Sequence, residues 1–299
     1  MAARATRSAS GAASSSDDAS RCLLLALSHD ELGVIVDGLA DPLKPVVAVA
    51  LSSTCLGLRT PLGAALEVLK VRHQWAVVLC HKVGYNSCAQ VRGAEGLHGI
   101  GCLVADDMAT LGMILCTNGL PCLQRLYLRS NGFGDAGVQA LCEGLSRGAA
   151  PSLRILALSD NKFGPAGAEA LAAALGRGAM PKLENLLLYH NPIGNRGVAA
   201  LAAPLRKLPV LDRLFLSQCE IGDEGVASLV DNLGKDDFKK LEDLYLGSNK
   251  ITDAGVAKLL AALDAGGLPK LVSGPHLLEE NPASAVAVEA LKHALVKRS

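Results

Sequence analysis

The chain has 299 residues, half of them apolar, and carries 29 basic and 29 acidic side chains. This apolar content suffices for the core of one elongated or two compact domains, and the lack of net charge gives no general attraction to nucleic acid or to an acidic membrane. Nine cysteines without regular spacing favour a reducing compartment, the cytoplasm or the nucleus, over a disulfide-stabilised secreted protein.

The N-terminal segment MAARATRSASGAASSSDDAS consists mostly of Ala, Ser, Arg and Asp. Ordering it would bury almost no apolar area, so residues 1–20 are predicted to form a disordered tail. The alternative is an organelle-targeting peptide, which Arg4 and Arg7 favour and Asp17 and Asp18 disfavour. The apolar run CLLLAL that follows is too short for a signal sequence, and no apolar run reaches the roughly 18 residues that a membrane-spanning helix needs. The sequence therefore predicts no membrane segment.

Residues 27–59, LSHDELGVIVDGLADPLKPVVAVALSSTCLGLR, have the pattern of two or three short helices. Ser28 and Glu31 have the spacing of a capping box, and Asp41-Pro42 marks a break between helices. The order L-x-x-D-E-L-x-x-I-x-x-x-L-x-D-P resembles an F-box, the helical module that docks to the adaptor of a cullin-type ubiquitin ligase.

This resemblance implies a docking surface, and the residues that would form it are Leu27, Leu32, Ile35, Leu39, Pro42 and Leu43. The chain departs from the family at Ser28, where a proline is usual, and at Leu58 and Arg59, where a tryptophan is usual. The alternative is that residues 21–92 form a helical cap on the apolar end of the next domain. In either case the run PLGAALEVLKVRHQWAVVLCHKVG is predicted to form one longer helix.

The strongest pattern is an internal repeat. The segments LQRLYLRSN, LRILALSDN, LENLLLYHN, LDRLFLSQC and LEDLYLGSN begin at Leu123, Leu153, Leu183, Leu211 and Leu241, so successive units are 30, 30, 28 and 30 residues apart. Each continues with an apolar residue, a glycine and a leucine at fixed spacing. The pattern L-x-x-L-x-L-x-x-N resembles the ribonuclease-inhibitor-like class of leucine-rich repeat.

The fold class that this resemblance implies is an α/β leucine-rich repeat solenoid, with a curved parallel sheet inside and helices outside. The residues alone lead to the same arrangement. Each unit contains a short strand and an alanine-rich helix, and a single unit cannot cover the apolar sides of both, so the units must stack. Residues 93–299 are predicted to form about six to seven repeats with an α-helical cap before them. The ends are degenerate: the strand half around GLHGIGC is expected to be eroded, and Gly274-Pro275 is expected to interrupt strand pairing.

The repeat explains a glycine pattern that otherwise resembles a cofactor-binding site. Gly132, Gly134 and Gly137 have the G-x-G-x-x-G spacing of a dinucleotide-binding turn. The equivalents of GFGDAG in later units are KFGPAG, PIGNRG, EIGDEG and KITDAG, so only the last glycine recurs throughout. A cofactor turn needs all three glycines and occurs once per domain, and we therefore predict no cofactor.

Two further groups invite chemistry. In three successive units the residue before the repeat asparagine is Ser130, Asp160 and His190. On adjacent strands the acid would lie between the serine and the histidine, whereas a catalytic triad needs the imidazole in the middle. The second group, Cys80, His81, Cys88, His98 and Cys102, lacks the C-x-x-C spacing of a zinc site. The sequence therefore predicts neither an enzyme nor a metal protein.

The polar residue that ends each repeated segment is predicted to be structural. An amide at that place offers donors and acceptors to backbone groups that leave the strand unpaired. These ladder positions are Asn131, Asn161, Asn191, Cys219 and Asn249.

Residues between the strand leucines are predicted to face an open concave surface. Four of the nine aromatic residues of the chain fall there, which favours a protein-binding patch anchored by Tyr and Arg. The candidate partner-binding residues are Arg125, Tyr127, Arg129, Leu187, Tyr189, Arg213, Phe215, Asp243 and Tyr245. Basic residues lie early on this face (Arg125, Arg129, Arg154) and acidic ones late (Asp212, Glu242, Asp243), which would orient a partner of opposite polarity.

Taken together, these patterns indicate a non-catalytic scaffold that binds a protein partner on its concave face, with substrate recruitment to a ubiquitin ligase as the sharper version. Two alternatives stay open. The repeats are also similar to those of the Ran GTPase-activating protein, although the chain ends in VKRS and lacks that family's acidic tail. An enzyme inhibitor resembling ribonuclease inhibitor would require more repeats than this chain has.

Overall fold

A computed structural model describes residues 41–54, 62–146, 148–272 and 277–298. These residues belong to two compact units. Helix α1, Val46–Thr54, and the beginning of helix α2, Gly63–Lys82, belong to the first unit, which extends to residue 69. Residues 41–44 and all described residues from 70 onward form the second unit. The predicted tail, residues 1–20, lies outside the described residues.

The second unit alternates short strands with helices. After the short helix α3, Cys88–Arg92, the order is β1 (Gly96–His98), α4 (Ala105–Cys116), β2 (Arg125–Tyr127), α5 (Gly134–Gly144), β3 (Ile155–Ala157), α6 (Pro165–Gly176), β4 (Asn185–Leu187), α7 (Gly194–Arg206), β5 (Arg213–Phe215), α8 (Asp223–Val230), β6 (Asp243–Tyr245), α9 (Asp253–Asp264) and α10 (Ala285–Val296). The six strands form one parallel sheet in the order β1-β2-β3-β4-β5-β6.

The core lies between this sheet and the helices. The middle residue of each strand is a leucine, and the leucines of neighbouring strands pair in register; they are Leu97, Leu126, Leu156, Leu186, Leu214 and Leu244, each at most 5% exposed. Alternation along a strand turns the flanking residues to the opposite side of the sheet. The predicted fold class, a parallel-sheet α/β repeat solenoid, is therefore confirmed.

The first repeat differs from the prediction. The strand around GLHGIGC was expected to be eroded, but β1 forms there and pairs with β2 along its whole length. Leu97 is only 2% exposed and supplies the buried leucine that the repeat requires. Backbone pairing continues past the strand, since the N–H of Gly99 donates to the carbonyl oxygen of Tyr127 at 2.9 Å.

Helix α4 and helix α5 approach each other closely because glycines face each other at the contact. A Cβ atom placed on Gly144 would lie 2.1 Å from both the carbonyl carbon and the carbonyl oxygen of Gly112. In the repeat that follows, the residue equivalent to Gly144 is Ala174, so this backbone-to-backbone contact is particular to the first helix pair.

Residues 70–92 cover the N-terminal end of the repeat core. Leu79, Cys80, Val83 and Val91 are buried in the same apolar cluster as Leu97. These are the contacts expected if the segment acts as a cap. The predicted helix over this region is also present, as α2 from Gly63 to Lys82.

Two of the residues assigned to an F-box docking surface are not available on the surface. Pro42 and Leu43 are both buried in the second unit, and Leu43 is 5% exposed within the main core cluster. Asp41 fixes this turn: its Oδ1 accepts from the N–H of Leu43 at 2.9 Å, and its carboxylate pairs with Arg92. The other four residues, Leu27, Leu32, Ile35 and Leu39, lie outside the described residues.

At the C-terminal end, backbone pairing continues beyond β6. The N–H groups of Leu246 and Ser248 donate to the carbonyl oxygens of Leu277 and Glu279 at 3.0 and 2.7 Å. Gly274 and Pro275, which were expected to interrupt pairing, lie outside the described residues. None of the described helices is both long enough and apolar enough to cross a lipid bilayer.

Candidate functional site

A ladder of hydrogen-bonding side chains lies beneath the turns that follow the strands. Asn161 is fully buried there. Its Nδ2 donates to the carbonyl oxygens of Leu128 and Leu158 at 2.8 and 2.9 Å, and its Oδ1 accepts from the N–H of Asn131 at 2.9 Å. The amide thus satisfies backbone groups of its own repeat and of the preceding one, which burial would otherwise leave without partners.

The ladder is longer than the five positions named from the sequence. Its members are Asn131, Asn161, Asn191, Cys219, Asn249 and Asn281. In Cys219 the Sγ atom donates to the carbonyl oxygens of Leu188 and Ser217 at 3.4 Å. Burial raises the pKa of this thiol to about 12, so it stays protonated and keeps its donor at neutral pH.

The residue before each ladder position turns the chain out of its strand. Ser130, Asp160 and His190 have φ angles of 60°, 56° and 59°, and Gln218 and Ser248 share a φ of 54°. This is the left-handed region, which is costly for residues other than glycine. The Ser, Asp and His residues of this column therefore share a turn conformation at the ends of successive strands.

A second set of acceptors, which the sequence analysis missed, joins the helix starts of neighbouring repeats. Asp223, at the start of α8, accepts from the N–H groups of Thr252 and Gly255 at 2.8 and 2.9 Å. Such N–H groups at a helix start have no partner inside the helix and favour a negative charge. The residues that make this contact are Asp135, Asn195, Asp223 and Asp253. The signal was present in GFGDAG, PIGNRG, EIGDEG and KITDAG, which carry Asp or Asn at one shared place.

Asp223 provides a pH-dependent test of this contact. Burial opposes its ionisation, but hydrogen bonds from Thr252 and Gly255 outweigh burial and hold the pKa of the carboxyl below its ordinary value of 3.8. A carboxyl whose pKa is lowered by folding stabilises above its unfolded pKa and loses that contribution as the pH falls through the folded value.

We expect Asp223→Asn to lower the urea unfolding midpoint at pH 7, because the amide that replaces the carboxylate carries no charge. The difference from the parent chain should shrink as the pH falls below about 4, where the parent carboxylate becomes protonated. Urea titrations at several pH values measure this. A difference that stays constant from neutral to acidic pH would contradict the assignment.

The open face of the sheet, the side turned away from the helices, carries rows of side chains that run across the strands. The central row consists of His98, Tyr127, Ala157, Leu187, Phe215 and Tyr245. Rings stack at both ends of it: His98 on Tyr127 with centroids 4.8 Å apart, and Phe215 on Tyr245 with centroids 4.2 Å apart. Stacking fixes these aromatic side chains before any partner arrives.

The structure brings the predicted partner-binding residues together on this face. They are Arg125, Tyr127, Arg129, Leu187, Tyr189, Arg213, Phe215, Asp243 and Tyr245, and all are exposed or half-buried. Ala157, Ser159 and Gly247 were also expected to face solvent but are buried. These residues are small, and larger residues stand on the adjacent strands, which the alternation pattern alone does not reveal.

Charged residues at the N-terminal ends of the strands are mostly paired within the protein. Arg154 lies 2.7 Å from Glu184, and Arg213 lies 3.1 Å from Asp243. Burial, with the nearby carboxylates of Glu242, Asp243 and Glu184, raises the pKa of Asp212 despite the opposing effect of Arg213. These pairs reduce the charge gradient that the sequence predicted along the face.

The cysteine and histidine residues of the candidate metal cluster lie in different environments, some in the core and some on the surface. Cys80 and Cys88 are buried with their Sγ atoms 3.6 Å apart, and burial followed by the Cys88 hydrogen bond raises the pKa of the Cys80 thiol to about 12. Cys102 is exposed, and His98 is stacked on the open face. Within the described residues, no group of three or more His, Cys, Asp or Glu side chains is arranged to hold a metal ion.

Comparison with known proteins agrees with the repeat pattern. The family model described as "Leucine Rich repeat" matches residues 119–142, 149–172, 208–230 and 239–260. No curated protein sequence matches the chain.

Two solved structures show weaker likenesses. The chain in the crystal structure of the TLR13–ssRNA13 complex is 20% identical over 58% of this chain and 27% of that chain, with a TM-score of 0.25. This chain thus spans little more than a quarter of that one. An internalin from Listeria monocytogenes is 15% identical over 74% of this chain and 85% of its own, with a TM-score of 0.30. Both TM-scores are below 0.5, so the fold assignment rests on the repeats and the sheet of this chain.

Proposed function

We propose that this leucine-rich repeat protein is a non-catalytic scaffold that binds a protein partner on the open face of its sheet. The observation that carries the proposal is the central row, where two stacked aromatic pairs flank Ala157 and Leu187. Pre-ordered aromatic side chains lose little conformational entropy when a partner covers them, and Tyr residues are common anchors of protein interfaces. The unit length of 28 to 30 residues, with a strand and a helix in each unit, supports placement in the ribonuclease-inhibitor-like class.

The test is affinity capture from cell extract with the full chain, followed by measurement of the affinity of the identified partner by titration calorimetry. Replacing both Tyr127 and Tyr245 by alanine is expected to weaken binding at least about tenfold, because one anchor is lost from each stacked pair. Trp75→Ala is the control, since Trp75 is 55% exposed on α2 and lies outside the open face. A partner that tolerates the double substitution but requires Trp75 would contradict the proposal.

The finer proposal is that the chain recruits this partner to a ubiquitin ligase through its N-terminal segment. The order of Leu27, Leu32, Ile35 and Leu39 before Asp41-Pro42 supports it. Because Pro42 and Leu43 are buried, these two residues are excluded from such a docking surface. Leu32→Asp in the full chain is expected to abolish binding of the ligase adaptor while partner capture on the open face continues. Adaptor binding that survives Leu32→Asp would contradict it.

A further inference from the structure

One arginine on the open face differs from the others. Arg125, Arg154 and Arg213 each have a carboxylate within 4 Å, namely Glu95, Glu184 and Asp243. Arg129 is exposed, and among the described residues no carboxylate lies within ion-pair distance of its guanidinium. A guanidinium has five donors in a planar arrangement that matches a carboxylate.

Among the described residues, the row that contains Arg129 carries one further polar group without a hydrogen-bond partner, the hydroxyl of Ser159. Backbone pairing places Arg129 beside Ser159 and Ser159 beside Tyr189, since the N–H of Ser130 donates to the carbonyl oxygen of Ser159 and the N–H of Asp160 to that of Tyr189. Ser159 is fully buried, and its Oγ has no hydrogen-bond partner in the described part of the chain. A buried hydroxyl without a partner is costly, and such groups are uncommon unless something else satisfies them.

An apolar hollow adjoins this row. It has a volume of about 290 Å³, and its lining includes Ile100, Tyr127, Ala157, Leu187, Tyr189 and Arg129 itself. Its floor is low because Ala157 stands between the larger Tyr127 and Leu187 in the central row. The hollow is open on the side of the sheet turned away from the helices and does not enclose a ligand, so it suits a side chain presented by a partner better than a free metabolite.

We propose that Arg129, Ser159 and Tyr189 bind an acidic side chain of the protein partner, and that the adjoining hollow takes an apolar side chain of the same segment. The inference rests on the proposed function and names the chemistry of the partner. Rows on a strand face are two residues apart, about 6.6 Å. This is also the separation of same-side residues in an extended chain, so an Asp or Glu two positions from a Leu, Ile or Phe fits both places at once.

The charges around the site are compatible with an acidic ligand. Among the described residues that line the hollow, Arg129 is the one arginine, and the imidazoles of His98 and His190 lie at its margins on Tyr127 and Tyr189. Asp160 is the acidic residue nearest in register, and it is exposed in the turn that follows β3 without an ion pair to Arg129 in the described structure. Because Ser159 is fully buried, neighbouring side chains of the row must move before a ligand can reach its hydroxyl.

The experiment is selection from a phage-displayed library of random peptides on the full chain, followed by affinity measurement of the selected peptides. We expect enrichment of an acidic residue close to an apolar one. Arg129→Gln should weaken these peptides at least about tenfold, the range for loss of a charged hydrogen-bond partner. Arg196→Gln is the matched control, because that arginine is exposed on α7, away from the open face, is already paired with Glu169 at 2.7 Å, and should leave affinity nearly unchanged.

Charge reversal sharpens the test. Selection on Arg129→Glu should enrich Lys or Arg in place of the acidic residue, whereas thermal unfolding midpoints of all three variants should match the parent chain. Peptides without an acidic residue, or a library that yields no binder dependent on Arg129, would overturn the inference. If a captured partner requires Tyr127 and Tyr245 but ignores Arg129→Gln, the proposed function stands and this inference fails.

Discussion

Asn161→Ala is expected to reduce the free energy of unfolding by about 3 kcal/mol, the upper range for stranding a buried polar group. The substitution removes donors to Leu128 and Leu158 and the acceptor for Asn131, so backbone groups of two repeats lose their partners at once. Nothing replaces them, because the site is fully buried and alanine leaves a gap rather than access for bulk solvent.

Urea unfolding followed by circular dichroism measures this effect. Asn161→Cys is the matched control, because the chain itself uses a thiol at Cys219 for the same purpose. The cysteine variant should lose less stability than the alanine variant, since a thiol keeps a weak donor. An alanine variant with the midpoint of the parent chain would refute a stabilising ladder.

Gly144→Ala is expected to destabilise the protein by a similar amount, about 3 kcal/mol, through overpacking. The new methyl group would lie 2.1 Å from the backbone carbonyl of Gly112, and 2.5 Å from its Cα. Backbone atoms cannot rotate away as a side chain can, so α4 and α5 must separate and expose part of the core between them.

Gly176→Ala provides a control with the opposite sign. Gly176 also ends a repeat helix, α6, but a Cβ placed there meets nothing within 4 Å. Alanine should therefore stabilise by up to about 1 kcal/mol through helix propensity alone. Thermal unfolding of the two variants measures both effects. Equal shifts of the unfolding temperature in the same direction would show that helix propensity, and not the contact between α4 and α5, determines the effect of Gly144→Ala.

Much of the fold was predictable because it repeats. A leucine at a fixed place in five units identifies the buried side of the sheet with far more certainty than one leucine can. The same reasoning located the asparagine ladder, whose members differ from solvent-facing asparagines only by recurrence. The same reasoning failed at the first strand. GLHGIGC keeps Leu97, the buried leucine that the repeat requires, but little else of the pattern.

The finer features of the site were not predictable from spacing. Alternation places Ser159 and Arg129 on the same face. It does not show that, within the described residues, Ser159 is buried without a hydrogen-bond partner and Arg129 has no ion pair. Both properties depend on which side chains the neighbouring strands contribute, and on whether a carboxylate stands opposite. Leu43 illustrates the same limit, because the turn that holds it is fixed by an ion pair between Asp41 and Arg92, and Arg92 is far from Leu43 in the sequence.

Cys219 has a mechanical consequence for the array. Every other junction from Asn131 to Asn281 is tied by an amide oxygen that receives an N–H from the repeat before it, whereas at Cys219 only sulfur, a poorer acceptor, is offered to Asn191. Stability in stacked repeats is a sum of neighbour-to-neighbour terms. We therefore expect the junction between the repeat of β4 and that of β5 to be the weakest link of the ladder under heat or tension.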